Sequence, residues 1–270
     1  MGGDGGGGRL LIIGGAEDRA CGTGILERFV DLSGGGGARI VVITTATVAP
    51  ERAFAEYERV FRRLGVRRVR ELPIRGRSDA DGTAAAGLLG EATGAFLCGG
   101  DQSRLRTLVG SRLNARLRDR LAAGLAIGGT SAGATALGAT MILGGDGADV
   151  AAGAVRTGPG LGLMPKALID MHFGERGRLP RLLSAVTLDP ERLGIGIDEN
   201  TAICATPDAF EVLGAGAVSV VDAQRATVVH PDSDGDPVTL FDVRLHLLPA
   251  GCVFDLAARC PAVGPAHARY

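Results

Sequence analysis

Five short apolar runs punctuate the first half of the chain, at residues 9–13, 40–44, 67–72, 95–98 and 125–128. The runs at 9–13, 40–44 and 125–128 are nearly continuous in Ile, Val, Leu or Ala, the pattern of strands buried on both faces, and 67–72 and 95–98 are weaker runs of the same kind. Segments of helical length lie between them, at 24–32, 50–64, 84–90 and 103–122. Strands alternating with helices predict a parallel sheet covered by helices on both sides. The expected fold class is α/β, an open doubly wound, mostly parallel sheet. In such sheets ligands bind beyond the carboxyl ends of the strands.

The second half follows another rhythm. Residues 144–162 are rich in Gly, Ala and Asp and are expected to be loop, and 180–186 a short helix. Residues 193–198 and 201–205 are predicted as two strands around a turn, followed by strand-like stretches at 210–213, 217–222, 226–229 and 238–248. The C-terminal third is therefore expected to be a β-rich extension that continues the sheet. No Ser/Pro linker and no internal repeat interrupts the chain, so residues 9–270 are expected to form a single α/β domain behind a disordered N-terminal tail, 1–8.

Composition narrows the function classes. The 270 residues carry a net charge of −1, with no basic footprint for nucleic acid. Lys166 is the sole lysine, so the arginine excess reads as codon bias except where arginines cluster. Tryptophan is absent and aromatics make up 4%, which disfavours carbohydrate-binding and base-stacking platforms. No apolar run reaches the ~20 residues of a membrane helix. Five cysteines (Cys21, Cys98, Cys204, Cys252 and Cys260) are widely spaced without a CxxC pair, so neither a disulfide framework nor a zinc site is expected, and the reading is buried small hydrophobes. The glycine-rich start shows no secretory signal, and a cytoplasmic location is expected.

The sharpest chemical signal is Gly129-Thr130-Ser131-Ala132-Gly133, entered from an apolar run and followed by small residues. G-x-S-x-G between a strand and a helix is a nucleophile elbow: flanking side chains must be absent for the turn to close, and the serine is lifted above the sheet edge. The free N–H of Ala132 and the helix dipole then favour an oxyanion. Four histidines compete as base: His172, His230, His246 and His267. His172 stands out because it follows an apolar run and Asp170, Glu175, Arg176, Arg178 and Arg181 crowd it, a density suited to a binding loop. Candidate orienting acids are Glu199, at the end of an apolar strand, and Asp149 or Asp146. Gly99-Gly100-Asp101-Gln102 follows another strand, and a glycine pair there can donate N–H groups to a substrate oxygen. Gln102 is placed to reach a substrate carboxylate or amide. Gly14-Gly15-Ala16-Glu17-Asp18 is a similar turn, but it carries acids where a pyrophosphate would sit, so a dinucleotide site is disfavoured.

Four ordered segments, CGGDQ (98–102), GGTSAGA (128–134), IDMHFGERGRLPRLLSAV (169–186) and GIGIDENTAI (194–203), together resemble the cyanophycinase family of serine peptidases. That family is related to aspartyl dipeptidase and to the class I glutamine amidotransferase-like, flavodoxin-like fold. The resemblance implies hydrolysis of the aspartyl backbone of cyanophycin, multi-L-arginyl-poly-L-aspartate, from the chain end to β-Asp-Arg dipeptides. It implies Ser131 as nucleophile, His172 as base and Glu199 as acid, with Asp149 the alternative acid. Gly100 and Ala132 are the expected oxyanion donors, and Gln102, Asp170, Arg176, Arg178 and Arg181 the expected substrate contacts. It further implies a homodimer that needs no metal and no cofactor, and no nucleic-acid or membrane partner. Met171 departs from the pattern, which has glutamine there (IDQHF), and raises the possibility of a shifted specificity. Two other readings compete: a dipeptidase for Asp-X or isoaspartyl peptides, and a non-catalytic binding protein on the same fold. An α/β-hydrolase esterase is a further alternative; it would place its histidine near the C-terminus, and it lacks an HGGG-type motif here.

Overall fold

A computed structural model describes residues 7–20, 24–145 and 149–264. Cys21, Asp146 and His267 lie outside the described residues, as do 1–6 of the expected tail. Gly8, expected in that tail, is docked: its N–H donates to the Leu121 carbonyl at 2.7 Å.

The chain runs β1 (Leu10–Ile13), α1 (Gly24–Leu32), β2 (Arg39–Ile43), α2 (Pro50–Arg63), β3 (Arg68–Leu72), α3 (Arg77–Ala80), α4 (Thr83–Glu91), β4 (Gly94–Leu97), α5 (Arg112–Ala122) and β5 (Ala126–Thr130). It continues through α6 (Ala132–Leu137), β6 (Gly138–Gly144), β7 (Arg156–Pro159), β8 (Met164–Met171), α7 (Leu179–Thr187), β9 (Leu193–Ile197) and β10 (Thr201–Ala205). The last strands are β11 (Ala209–Gly214), β12 (Ala217–Asp222), β13 (Thr227–Val229), β14 (Thr239–Phe241), β15 (Arg244–Pro249), β16 (Cys252–Asp255) and β17 (Cys260–Val263).

Five parallel strands, ordered β1-β5-β4-β2-β3, form the expected α/β core. Antiparallel β10, β11, β16 and β17 continue the same sheet from β1, so part of the C-terminal third extends it as expected. The rest does not. β9, β12 and β15 join β6, β7 and β8 in a second, six-stranded sheet, ordered β15-β12-β9-β8-β6-β7. The stretch 144–162, expected to be loop, contributes β7 at its end.

Alternation along β1 decides the layering. Leu11 and Ile13 face α1 and α2, packed with Phe29, Tyr57, Phe61 and Phe96. Leu10 and Ile12 face the other way, into a core shared with α4, α5, α6 and the inner face of the second sheet. α7 covers that sheet's outer face through Leu182, Ala185 and Val186. The predicted helix 103–122 is two pieces: a 3-10 turn, Gln102–Thr107, and α5. Gly110 at φ +67 ends the first, and the Ser111 side chain caps the second by accepting the Asn114 amide at 3.1 Å.

Cys98 and Cys204 are buried free thiols, Cys252 is half-buried, and Cys260 is exposed, outside the buried-hydrophobe reading. No helix among the described residues is long and apolar enough to cross a membrane.

Candidate active site

The chain passes between the two sheets at four places, and two of them, β5 to β6 and β9 to β10, carry candidate residues. Ser131 joins β5 of the first sheet to α6 and β6 of the second; Asp198, Glu199 and Asn200 join β9 of the second to β10 of the first. His172 stands at the carboxyl end of β8. Ser131 Oγ lies 2.8 Å from His172 Nε2, and His172 Nδ1 lies 2.6 Å from Glu199 Oε1. Ser131, His172 and Glu199 thus stand in a hydrogen-bonded line, a geometry that would let an imidazole accept a hydroxyl proton.

The local sequence makes the elbow possible. Ser131 sits at φ +51, ψ −115, outside the wells an L-residue prefers. A Cβ at Gly129 would meet the Gly133 carbonyl at 2.6 Å, and one at Gly133 would meet the Leu97 carbonyl at 2.3 Å. Both glycines of the motif are therefore dictated by close approach. His172 (φ +49), Asn200 (φ +47) and Ala16 (φ +46) share the strained region. Strain of this kind costs about 1–3 kcal/mol per residue and persists where surrounding structure enforces it.

The end of β1 supplies the enforcement. Its three successive carbonyls receive one amide from each segment of the site: Ile13 from Ser131 at 3.0 Å, Gly14 from His172 at 2.8 Å, and Gly15 from Asn200 at 2.8 Å. Gly15 also backs the imidazole, because a Cβ there would lie 2.3 Å from His172 Cε1. This role of the Gly14-Gly15 turn escapes motif reading, since a backbone jig carries no side-chain signature beyond the glycines.

Ala132 opens α6, so its N–H has no intrahelical acceptor. Gly100, at φ +146, packs against the Ala46 carbonyl, and Gly99 lies against Ser131, where an added Cβ would be 3.2 Å from that serine's own Cβ. The Gly99-Gly100 turn and the start of α6 thus both adjoin Ser131. Gln102 donates Nε2 to the carbonyls of Ile142 and Leu143, at 3.2 and 3.4 Å, tying this turn to β6.

The charged cluster beyond His172 is built differently from expectation. Asp170 is wholly buried, and its carboxylate accepts both Arg181 Nε, at 2.9 Å, and Arg181 Nη2. Arg181 is buried too, and Arg178 reaches Asp170 at 3.4 Å and the Met171 carbonyl and sulfur, the latter at 2.9 Å. Burial pulls the Arg178 guanidinium down to about 10, against the opposing pull of Asp170. Direct substrate contact by Asp170 and Arg181 is thus corrected: these two form a buried ion pair beneath the loop. Such a density of charge is tolerated because the charges neutralise one another. Arg176 is exposed, and its guanidinium makes no ion pair among the described residues. Met171 is buried, so the position expected to hold glutamine presents no polar group.

Asp149 is exposed, while Nδ1 of His172 is taken by Glu199. His230 bonds the Thr187 carbonyl, and His246 packs against Phe254 on the far sheet edge. One group was missed. Glu17 is buried beside the elbow and accepts the Thr130 hydroxyl at 2.5 Å, the Tyr57 hydroxyl at 2.6 Å and the Arg19 guanidinium at 3.0 Å. Burial first, and then Glu17, push the Tyr57 phenol well above its usual value, so it stays a donor. Glu17 thus holds Thr130, the residue before Ser131, in place. No group of His, Cys, Asp and Glu among the described residues is arranged to hold a metal.

Residues 10–213 match the model of peptidase family S51. A cyanophycinase of Geminocystis herdmanii is 37% identical over 261 residues, covering 94% of this chain and 96% of its own. One from Trichormus variabilis is 38% identical over 262 residues, covering 94% and 88%. A peptidase structure from an acI-B1 actinobacterium superposes with a TM-score of 0.64 at 23% identity, covering 84% of this chain and 96% of that one, and supports the fold. With three quarters of its length inside the family model and relatives of this identity over nearly its whole length, the chain belongs to peptidase family S51.

Proposed function

We propose that this peptidase hydrolyses the aspartyl backbone of cyanophycin, releasing β-Asp-Arg dipeptides. The carrying observation is the Ser131–His172–Glu199 line in a chain this similar to cyanophycinases. His172 Nε2 takes the Ser131 proton as Oγ bonds to the aspartyl carbonyl carbon. The oxyanion receives hydrogen bonds from the N–H groups of Ala132 and Gly100. Collapse breaks the C–N bond, and the proton on His172 passes to the leaving amine. Water then attacks the acyl-enzyme through the same base and returns Ser131 to its hydroxyl form. Glu199 holds the imidazole in the required tautomer and balances its positive charge.

Substrate carboxylates are read by Arg176, whose guanidinium is exposed and makes no ion pair among the described residues, with Arg178 beside it. Gln102 keeps its carbonyl oxygen for a substrate N–H while its amide nitrogen is tied to β6. Asp170 and Arg181 act from below by fixing the loop. A second reading, cleavage of Asp-X dipeptides, is favoured by one feature: Met171 turns a buried thioether toward Arg178 instead of a polar group. Incubation with insoluble cyanophycin and, separately, with Asp-X dipeptides tests both. β-Asp-Arg released from the polymer supports the first reading, and cleavage confined to dipeptides supports the second. A homodimer in the cytoplasm belongs to the same proposal; sedimentation equilibrium tests the dimer.

A further inference from the structure

The segment carrying His172 and the turn carrying Glu199 leave adjacent parallel strands, β8 and β9, and meet at the surface. Phe173 is buried and anchors the inner side, but Gly174, Glu175, Arg176 and Gly177 are exposed. Two hydrogen bonds of opposite direction cross from one segment to the other. Gly174 N–H, on the base side, donates to Asp198 Oδ1 at 2.9 Å. Glu199 N–H, on the acid side, donates to the Glu175 carboxylate, 3.1 and 3.2 Å from its two oxygens. Asp198 is itself fixed, because its second oxygen accepts the Ala217 amide of β12 at 3.0 Å.

Glu175 is the informative member. It is exposed and has arginines at 176 and 178, yet it pairs with neither; among the described residues its carboxylate has no partner besides the Glu199 amide. A solvated surface acid would have no reason to face the backbone of the residue that orients the base. An exposed backbone N–H is otherwise satisfied by water, so this contact adds register rather than burial.

We propose that Glu175 and Asp198 are positioning residues that clasp the base segment to the acid turn and so fix the His172–Glu199 hydrogen bond. Neither touches the reacting atoms. The inference rests on the Ser131–His172–Glu199 reading for its effect on rate, but the clasp itself can be observed without turnover.

The experiment uses the full chain with 15N-labelled histidine. The Nδ1–H proton of His172, held 2.6 Å from Glu199, resonates at low field, and its assignment comes from its loss in Glu199→Gln. In Glu175→Ala the signal broadens or vanishes at unchanged melting temperature, and kcat falls roughly 10- to 100-fold with KM unaltered, the scale of an ångström-level misplacement. Glu175→Gln, which keeps an acceptor oxygen, restores both. A surface role would leave signal and kcat untouched. Glu175→Ala with the wild-type signal and kcat overturns the proposal, as does a wild-type protein without the low-field proton. If the wild type shows the proton, Glu175→Ala loses it, and cyanophycin is not cleaved, the clasp stands and the substrate reading fails.

Discussion

Replacing Gly15 by alanine places a methyl group where the imidazole of His172 stands. The new Cβ would lie 2.3 Å from Cε1 and 2.6 Å from Nε2, against ~3.5–4.0 Å at ordinary van der Waals contact. The backbone at Gly15 cannot retreat, because its carbonyl accepts the Asn200 amide and the preceding carbonyl accepts that of His172. The ring must move instead, by roughly 1 Å, a displacement that costs about 100-fold in rate when it misaligns a reacting group. The Ser131–His172 distance, now 2.8 Å, then passes beyond hydrogen-bond range, and base catalysis worth ~10²–10⁴-fold goes with it. Alanine at φ +105 also costs about 1–3 kcal/mol of folding stability, which a domain of ~5–15 kcal/mol survives. The assay pairs kcat on cyanophycin with a calorimetric melt. The expected variant is folded, with a lowered melting temperature and a collapsed kcat. A folded Gly15→Ala protein with wild-type kcat would refute the role of β1 as the jig of the site.

Three further outcomes follow from the geometry. Glu199→Gln lowers kcat by about 10³–10⁴-fold, whereas Asp149→Asn leaves the rate intact; steady-state kinetics on both variants discriminates the two candidate acids. Asp170→Asn strips a buried guanidinium of its counter-charge and destabilises the protein by about 3–5 kcal/mol, read by urea denaturation. The hydroxyl and then the amide of Ser103 hold the Asp101 carboxyl below its ordinary 3.8. Its folded value being depressed, its contribution is complete above that ordinary value and is lost as pH falls through the lowered one. Melts of wild type and Asp101→Ala therefore differ at neutral pH and converge in acid.

The parts of the molecule that were legible in the sequence are those whose signal is local. Four of the five parallel strands, β1, β2, β4 and β5, announce themselves as apolar runs because both faces are buried, whereas the edge strand β3 sets buried Val69 and Leu72 among charged residues. Ser131 is flanked by glycines that only close backbone approach demands, and His172 and Glu199 each terminate a strand. What a strand's own residues do not encode is its neighbour. β9 and β10 are separated by three residues yet belong to different sheets, so the second sheet could not be read from their spacing. Asp170 and Arg181, eleven positions apart, look like binding-loop charges until the turn of chain between them places one against the other inside the protein. The break at Gly110-Ser111 was not read, because the apolar spacing runs across it and masks the glycine stop and serine cap. Glu17 was hidden for another reason: its partners, Thr130 and Tyr57, lie 113 and 40 residues away.

Ser131 as the attacking group on cyanophycin is the claim on which the chemistry depends. Purified wild-type and Ser131→Ala proteins incubated with the polymer, with soluble products identified by mass spectrometry, address it in one measurement. The account expects β-Asp-Arg from the wild type and none from the equally folded alanine variant. Wild-type yields of the dipeptide from Ser131→Ala would contradict it.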